Sequence, residues 1–207
     1  MKNILVVESS PMGERSVSRK LTKELVAALV ERYPESQVSV RDLAERPLPH
    51  LDPESFAAFA AAPDKRDLAQ TAAAAASERA VDELLAADIV VIGAPMWNFG
   101  PPSGLKAWVD HVARAGRTFS YTAEGPRGLA GGRKVYVVAA SGGVYSSGPA
   151  LGMDFLTPWL KAVLGFMGMT DVSFIRAEGL AIPPLKDAAY EKARREIPEL
   201  VGALVAA

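Results

Sequence analysis

Residues 88–100, which decide the fold, read Asp88-Ile89-Val90-Val91-Ile92-Gly93-Ala94-Pro95-Met96-Trp97-Asn98-Phe99-Gly100. The first half is an unbroken apolar, β-branched run, which is typical of a strand buried on both faces of a parallel sheet. The chain then turns sharply and places two aromatic rings and an amide at the end of the strand. Ligands of open α/β sheets bind in the crevice beyond the carboxyl ends of the strands. The stretch therefore predicts a buried strand and a candidate ligand-binding turn, although such a turn can equally be a Pro-containing cap on the core.

Length and composition narrow the class of protein. A chain of 207 residues fits one domain, residues 1–207, with a core that needs no disulfide or metal. The formal net charge of -1 shows no bias toward nucleic acid or an anionic membrane surface. The absence of cysteine excludes disulfides, thiolate-ligated metals and thiol catalysis. No apolar run approaches the roughly 20 residues of a membrane span, and the first one is too short for a signal peptide. We therefore expect a cytoplasmic protein.

Strand-like and helix-like segments alternate along the chain. The predicted strands are residues 4–7, 37–41, the run that begins at 88, 134–140 and 171–175. The first predicted helix begins at an N-cap, Ser16 or Ser18. Further helices are predicted over residues 67–87, 103–115, 153–165 and 187–205. Residues 42–63 are predicted as a long excursion over the sheet. Such alternation implies right-handed crossovers and a parallel sheet. The prediction is a flavodoxin-like, three-layer α/β fold with a five-stranded parallel sheet in the order 2-1-3-4-5.

The loop after the first strand carries Ser9, Ser10, Ser16 and Ser18 just before a helix. Hydroxyls and free backbone N–H groups at a helix N-terminus form an anion site, and Arg15 could add a positive charge. The loop lacks the Gly-Lys-Ser/Thr ending of a triphosphate-binding loop, and no Gly-x-Gly-x-x-Gly follows a strand. The pattern therefore suits a terminal monophosphate, with ordinary serine capping as the alternative.

Two further loops end neighbouring strands at the same edge of the predicted sheet. In the turn Met96–Phe99, the Asn98 amide could contact the polar edge of a ring system and Trp97 its face. In the loop Ser141-Gly142-Gly143-Val144-Tyr145, the glycines allow the main chain to approach a ligand closely, with a tight turn as the alternative. The switch point of this topology, where a mononucleotide binds, falls between the first and third strands. Three adjacent loops thus offer groups suited to a phosphate, to the face of a ring system and to its polar edge. This combination favours a bound ligand over a chance arrangement of turns.

At this point the sequence resembles a known family along its whole length. The family is that of the FMN-dependent NADH azoreductases, also described as FMN-dependent NADH:quinone oxidoreductases. The motifs that carry the resemblance are the Ser9-Ser10 to Ser16-x-Ser18 loop, Val40-Arg41-Asp42-Leu43-Ala44, Ala94 to Phe99, Val112 to Thr122, Gly142-Gly143, Leu164-Gly165-Phe166 and Gly168-x-Thr170-Asp171.

The resemblance implies a homodimer with one noncovalently bound FMN per subunit. By position, Ser10 and Ser16-Val17-Ser18 would hold the FMN phosphate, and Pro95-Met96-Trp97-Asn98-Phe99 would line the isoalloxazine ring. Ala140-Ser141-Gly142-Gly143 would contact the other edge of the ring. The substrate side is predicted to hold Trp97, Tyr121 and Tyr145.

The sequence departs from the family pattern at two places. Trp97 occupies a position that is often Tyr in relatives, and the larger indole could reshape the substrate side. Ala140-Ser141 stands where some relatives have Ser-Arg. The backbone contacts of this pair are therefore expected, while its side-chain roles are left open.

The resulting hypothesis is a two-step, ping-pong oxidoreductase. NADH, with NADPH left open, would reduce FMN and leave, and a quinone or azo compound would then bind at the same face and be reduced. The flavin carries this chemistry, so we predict no catalytic side chain; His50 and His111 do not suggest a metal pair, and no metal site is expected. The alternatives are a flavodoxin-type electron carrier, which the near-neutral charge disfavours, and a flavodoxin-like binding module without redox activity.

Overall fold

The computed structural model describes residues 1–202. Its strands are β1 (Asn3–Glu8), β2 (Gln37–Asp42), β3 (Ile89–Pro95), β4 (Phe119–Thr122), β5 (Gly125–Gly128), β6 (Lys134–Ala140) and β7 (Val172–Ala177). Its α-helices are α1 (Val17–Arg32), α2 (Pro53–Ala60), α3 (Leu68–Ala86), α4 (Ser103–Val112), α5 (Thr157–Phe166) and α6 (Lys186–Gly202). A parallel five-stranded sheet has the order β2-β1-β3-β6-β7. This confirms the predicted order, because the predicted fourth and fifth strands are β6 and β7.

The sheet is covered on both faces, which explains the unbroken apolar strands. Side chains alternate across a strand, so that Leu5 and Val90 pack with residues of α3, α4 and α5 on one face. Ile4 and Val91 pack with residues of α1 and α6 on the other face. Trp108 of α4 is fully buried in the first of these layers, as its helical spacing predicts.

Two elements were not predicted from the sequence. The predicted excursion over residues 42–63 contains α2, which begins with a capping box between Asp52 and Ser55. Between α4 and β6 the chain forms the antiparallel hairpin β4–β5, whose strands pair with each other and not with the central sheet. The hairpin packs on α5 through Phe119, whose ring centroid lies 4.5 Å from that of Phe166.

Several element boundaries also differ from the prediction. The fifth strand of the sheet begins at Val172, one residue later than predicted, and extends to Ala177. Helix α5 begins at Thr157 because the preceding residues form a turn, in which the Asp154 carboxylate accepts the backbone N–H groups of Leu156 and Thr157. Residues 203–205 of the predicted last helix lie outside the described residues. Over residues 1–202, no helix combines the length and apolar character needed to cross a membrane.

Candidate functional site

The three predicted loops meet at one edge of the sheet and enclose a cavity of about 380 Å³. Many of the predicted site residues line it: Ser10, Ser16, Val17, Ser18, Pro95, Met96, Trp97, Ala140, Ser141 and Gly142. Arg15, named above as a possible positive charge at the anion site, also lines the cavity, whereas Met12, Leu180, Ala181 and Lys186 were not anticipated. The cavity lies beyond the ends of β1, β3 and β6, which is where this topology binds ligands.

The first wall of the cavity is the N-terminus of α1. Ser16 is its N-cap, and its hydroxyl accepts the backbone N–H of Arg19 at 3.3 Å. The hydroxyls of Ser16 and Ser18 are 3.0 Å apart, and both side chains are buried. The N–H groups of residues 17 and 18 belong to the first turn and have no acceptor within the helix. Buried hydroxyls and free N–H groups at the positive end of a helix dipole form a site for an anion.

Arg19 fixes this loop from behind. Its guanidinium donates to both carboxylate oxygens of Asp42, at 2.5 and 2.8 Å, and to the backbone carbonyl of Ser10 at 3.0 Å. The Arg19 and Asp42 side chains are only 12% and 9% exposed. The hydrogen bond from Arg19 holds the pKa of Asp42 below its usual value of 3.8. This pair was missed, because nothing in the local sequence shows that α1 and the end of β2 meet here.

A buried carboxyl group lies beneath the same loop. Glu8 accepts a hydrogen bond from the Thr22 hydroxyl through one oxygen, and its other oxygen has no partner within residues 1–202. Burial raises the pKa of Glu8. The backbone of Gly93 passes so close that a β-carbon added there would lie 2.5 Å from the free oxygen. The end of β3 is therefore packed directly against β1 and α1 under the cavity.

The second wall is the turn after β3. Trp97 and Gly100 exchange backbone N–H···O bonds of 3.0 Å in both directions. The two residues between them, Asn98 and Phe99, have φ angles of +49° and +70°. This is the pattern of a type I′ turn, which Asn tolerates and Phe does not favour. Unfavourable backbone conformations of this kind cluster at functional sites.

Trp97 stands between the cavity and a second, wider groove of about 730 Å³. The groove is lined by Pro11, Trp97, Asn98, Gly100, Pro101, Pro102, Ser103, Lys106, Phe155 and Trp159. The Trp97 side chain is 44% exposed and lines both spaces. A flat ligand in the cavity would consequently have one indole wall and an open aromatic groove beside it.

The third wall is the loop after β6, which residues 178–181 hold in place. The backbone N–H groups of Gly179, Leu180 and Ala181 donate to the carbonyls of Gly143, Ser141 and Gly142. The Glu178 carboxylate accepts the N–H groups of Tyr145 and Ser146, each at 2.9 Å. The Tyr145 ring lies edge-on to Phe99, with the ring centroids 6.1 Å apart.

Not every predicted residue reaches the cavity. Within the described chain, Gly143, Tyr145 and Phe99 adjoin the lining residues without belonging to them. Tyr121 lies on the β4–β5 hairpin, is 75% exposed and packs edge-on against Phe119. His111 is buried and its Nε2 atom lies 2.9 Å from the Pro49 carbonyl oxygen. Among residues 1–202, no group of three or more His, Asp or Glu side chains is arranged to hold a metal ion.

Comparison with known proteins agrees with this geometry. Residues 2–201 match the family described as having a flavodoxin-like fold. The chain is 50% identical to the FMN-dependent NADH:quinone oxidoreductase of Agrobacterium fabrum over 204 residues, 98% of this chain and 100% of the relative. It is 48% identical to the FMN-dependent NADH:quinone oxidoreductase of Ralstonia nicotianae over 206 residues, 99% of each chain. The chain belongs to this flavodoxin-like family.

Solved structures of the family have the same architecture. An azoreductase from Bacillus anthracis superimposes with a TM-score of 0.90 at 31% identity and covers 97% of this chain and 99% of its own. An FMN-dependent NADH-azoreductase from the same species, solved in complex with FMN, superimposes with a TM-score of 0.89 at 26% identity, over 99% of each chain. The likeness therefore extends over both the sheet and the loops at its carboxyl edge.

Proposed function

We propose that this protein is an FMN-dependent oxidoreductase that uses NADH to reduce quinones and azo compounds. The observation that carries the proposal is the cavity at the sheet edge, whose lining combines an anion site at the start of α1 with the indole of Trp97. The names of the relatives, NADH:quinone oxidoreductases and azoreductases, support the same activity.

The residues present fit both the phosphate and the ring system of FMN. The Ser16 and Ser18 hydroxyls and the free N–H groups of the first turn of α1 suit a phosphate. Met96, Trp97 and the backbone of Ala140 to Gly142 offer apolar surface and main-chain groups to the ring system. Gly142 suits this position because an added β-carbon would lie 3.2 Å from that of Ala181, which lines the same cavity, so there is little room for a side chain.

When bound, FMN would supply the redox chemistry, that is, hydride uptake from NADH and two-electron reduction of the acceptor. The protein contributes position and electrostatics. Ser10, Ser16 and Ser18 would hold the phosphate, and residues 95–97 and 140–142 would contact the ring system. Backbone N–H groups beside the ring would stabilise negative charge there by preorganised hydrogen bonds. No side chain is required as a general acid or base, which fits a cavity lined by serines, apolar residues and two cations.

The groove beside Trp97 is where we place both the nicotinamide and the acceptor. One groove serving both reactants implies that they bind in turn, which is a ping-pong sequence. Its lining of prolines, Phe155 and Trp159 suits flat conjugated acceptors such as quinones and azo compounds.

The direct test is an anaerobic titration of the FMN-loaded protein with NADH. Loss of the visible flavin absorbance, followed by its recovery when a quinone is added, is the expected result. Parallel steady-state rates with NADH and NADPH, measured with a small quinone and no partner protein, compare the two donors and exclude a carrier that needs a docking protein. An unchanged flavin spectrum after NADH addition would refute the proposed activity.

Trp97→Tyr is expected to change acceptor preference more than FMN binding. The smaller phenol opens the wall between the cavity and the groove. We therefore expect kcat/KM for bulky quinones or azo compounds to rise about tenfold relative to a small quinone, the low end of the effect of one methylene-sized contact. FMN affinity, measured by flavin fluorescence, serves as the control. Identical kcat/KM ratios across the acceptor panel would contradict this role.

We also propose that the active form is a homodimer. Large apolar side chains are exposed in the groove, at Trp97 (44%) and Phe155 (61%), and in the 3-10 turn that precedes Phe155, at Leu151 (57%) and Met153 (40%). Exposed apolar side chains of this size favour a partner, and the resemblance assigns this partner to a second copy. Light scattering on the purified protein should give twice the mass of 21.9 kDa, and Leu151→Asp should shift it toward the monomer. A monomeric wild-type protein with full turnover would contradict the proposal.

A further inference from the structure

The flavin cavity is lined by two positively charged side chains, which are not needed for the capping of α1 by serine. Arg15 and Lys186 both line it, and they come from distant parts of the chain, the turn before α1 and the first residue of α6. The lining contains no Asp or Glu, whereas the chain as a whole has a formal net charge of -1. The cavity is thus a local concentration of positive charge.

Neither cation has an acidic partner within the described part of the chain. Arg15 and Lys186 form none of the salt bridges found in residues 1–202. Glu14, the acid next to Arg15, is bound instead by Lys23 through both carboxylate oxygens at 2.8 Å. By contrast, Lys106, the cation of the neighbouring groove, is paired with Asp110 at 2.6 Å. The cations in the flavin cavity are therefore available to a ligand.

The local backbone fixes Arg15 beside the anion site. Residues 13–15 form a 3-10 turn that begins at Gly13 with a φ of +54°. The turn is closed by hydrogen bonds from the N–H of Arg15 to the Met12 carbonyl and from the N–H of Ser16 to the Gly13 carbonyl, at 3.2 and 3.0 Å. Arg15 is consequently held one residue before the N-cap of α1.

We propose that Arg15 and Lys186 form a charge clamp that recognises the phosphate dianion of FMN and makes the cavity select the phosphorylated flavin over riboflavin. Neutral hydroxyls and N–H groups hydrogen-bond a phosphate but do not neutralise it, and a phosphate monoester carries a charge of about -1.5 to -2 at neutral pH. Two cations from separate elements, the turn before α1 and the start of α6, complete that neutralisation. This inference rests on the proposed function, since it assumes that FMN is the cofactor.

The test compares FMN and riboflavin binding to the apoprotein of the wild type, Arg15→Gln, Lys186→Gln and the double variant. Flavin fluorescence quenching gives each dissociation constant without any turnover. We expect each single variant to weaken FMN binding about threefold and the double variant about tenfold, with riboflavin affinity unchanged, because exposed ion pairs contribute modestly. Raising the salt concentration should shrink the difference, since exposed charges are screened.

Lys20→Gln is the matched control, because Lys20 is an exposed cation in the first turns of α1 that does not line the cavity. It should leave the FMN-to-riboflavin ratio at the wild-type value. Equal weakening of both flavins in the double variant, or an unchanged ratio, would overturn the clamp. Failure of the wild type to bind either flavin would instead overturn the proposed function, so the two failures are distinguishable.

Discussion

Arg19→Met is expected to lower the free energy of unfolding by about 3 kcal/mol, because it leaves the Asp42 carboxylate without its partner in a largely buried site. The same change should weaken FMN binding about tenfold, or about 1.4 kcal/mol, since the guanidinium also holds the Ser10 carbonyl of the phosphate loop at 3.0 Å. Urea unfolding and flavin titration measure the two effects. Arg19 does not line the cavity. Its replacement would therefore weaken FMN binding indirectly, because the phosphate loop is no longer held in place.

The pH dependence of this variant gives an independent check. A carboxyl group with a lowered pKa in the folded protein stabilises it above the ordinary value of 3.8, and this contribution is lost as the pH falls through the lower folded pKa. The stability difference between wild type and Arg19→Met should therefore be full at neutral pH and shrink below pH 3.8. A difference that stays constant down to the acid transition would show that Arg19 acts by packing alone.

Arg194→Met provides the matched control. Arg194 also pairs with a carboxylate from another helix, Glu24 at 3.1 Å, but the two side chains are 55% and 36% exposed. Exposed pairs contribute only about 0.2 to 1 kcal/mol. A loss at Arg194 as large as that at Arg19 would mean that burial is not the reason for the Arg19 effect.

The central sheet could be predicted from the sequence because its strands are buried on both faces. Residues 89–94 are all buried, and such strands must be apolar without interruption. Once strands and helices alternate, the direction of the crossovers and the edge where the loops meet follow from general rules. The cap at Ser16 or Ser18 and the loop that begins at Ser141 could be placed at the same sheet edge for this reason, whereas Ala140 was assigned by resemblance.

The hairpin β4–β5 could not be predicted in this way. Its strands are four residues each and pair only with each other, so no long periodic pattern marks them. Helix α2 did leave a local signal, since Asp52 and Ser55 form a capping box around Pro53. The surrounding prolines obscured it, because they are equally typical of a loop.

The other site residues that the sequence did not predict are brought there by tertiary contacts. Lys186 reaches the cavity only because α6 begins next to α1, and Arg19 meets Asp42 only because α1 crosses the end of β2. No spacing rule connects residues that lie so far apart in sequence. Tyr121 was assigned to the substrate side by resemblance alone, and it lies on the exposed hairpin. That assignment stays a prediction, and it requires Tyr121 to lie on the substrate side in the proposed dimer.

Gly128→Ala is expected to destabilise the protein by about 3 kcal/mol, at the upper end of overpacking penalties. A β-carbon at Gly128 would lie 2.2 to 2.4 Å from backbone atoms of Gly168 and Met167. Backbone cannot move aside as a side chain can, so the hairpin and the turn after α5 must separate. Gly165→Ala is the control: its β-carbon would meet nothing within 4 Å, and it lies in α5, where Ala stabilises by up to about 1 kcal/mol.

The hairpin contributes no lining residue to the flavin cavity, so the molecule that remains folded should bind FMN with wild-type affinity. Two outcomes then distinguish whether the hairpin unfolds together with the rest of the domain or by itself. If it is part of one cooperative unit, urea unfolding shifts to lower concentration with an unchanged slope. If it detaches locally, the slope falls and hydrogen exchange accelerates in residues 119–130 alone. Wild-type stability in Gly128→Ala would contradict the close contact between the hairpin and the turn after α5.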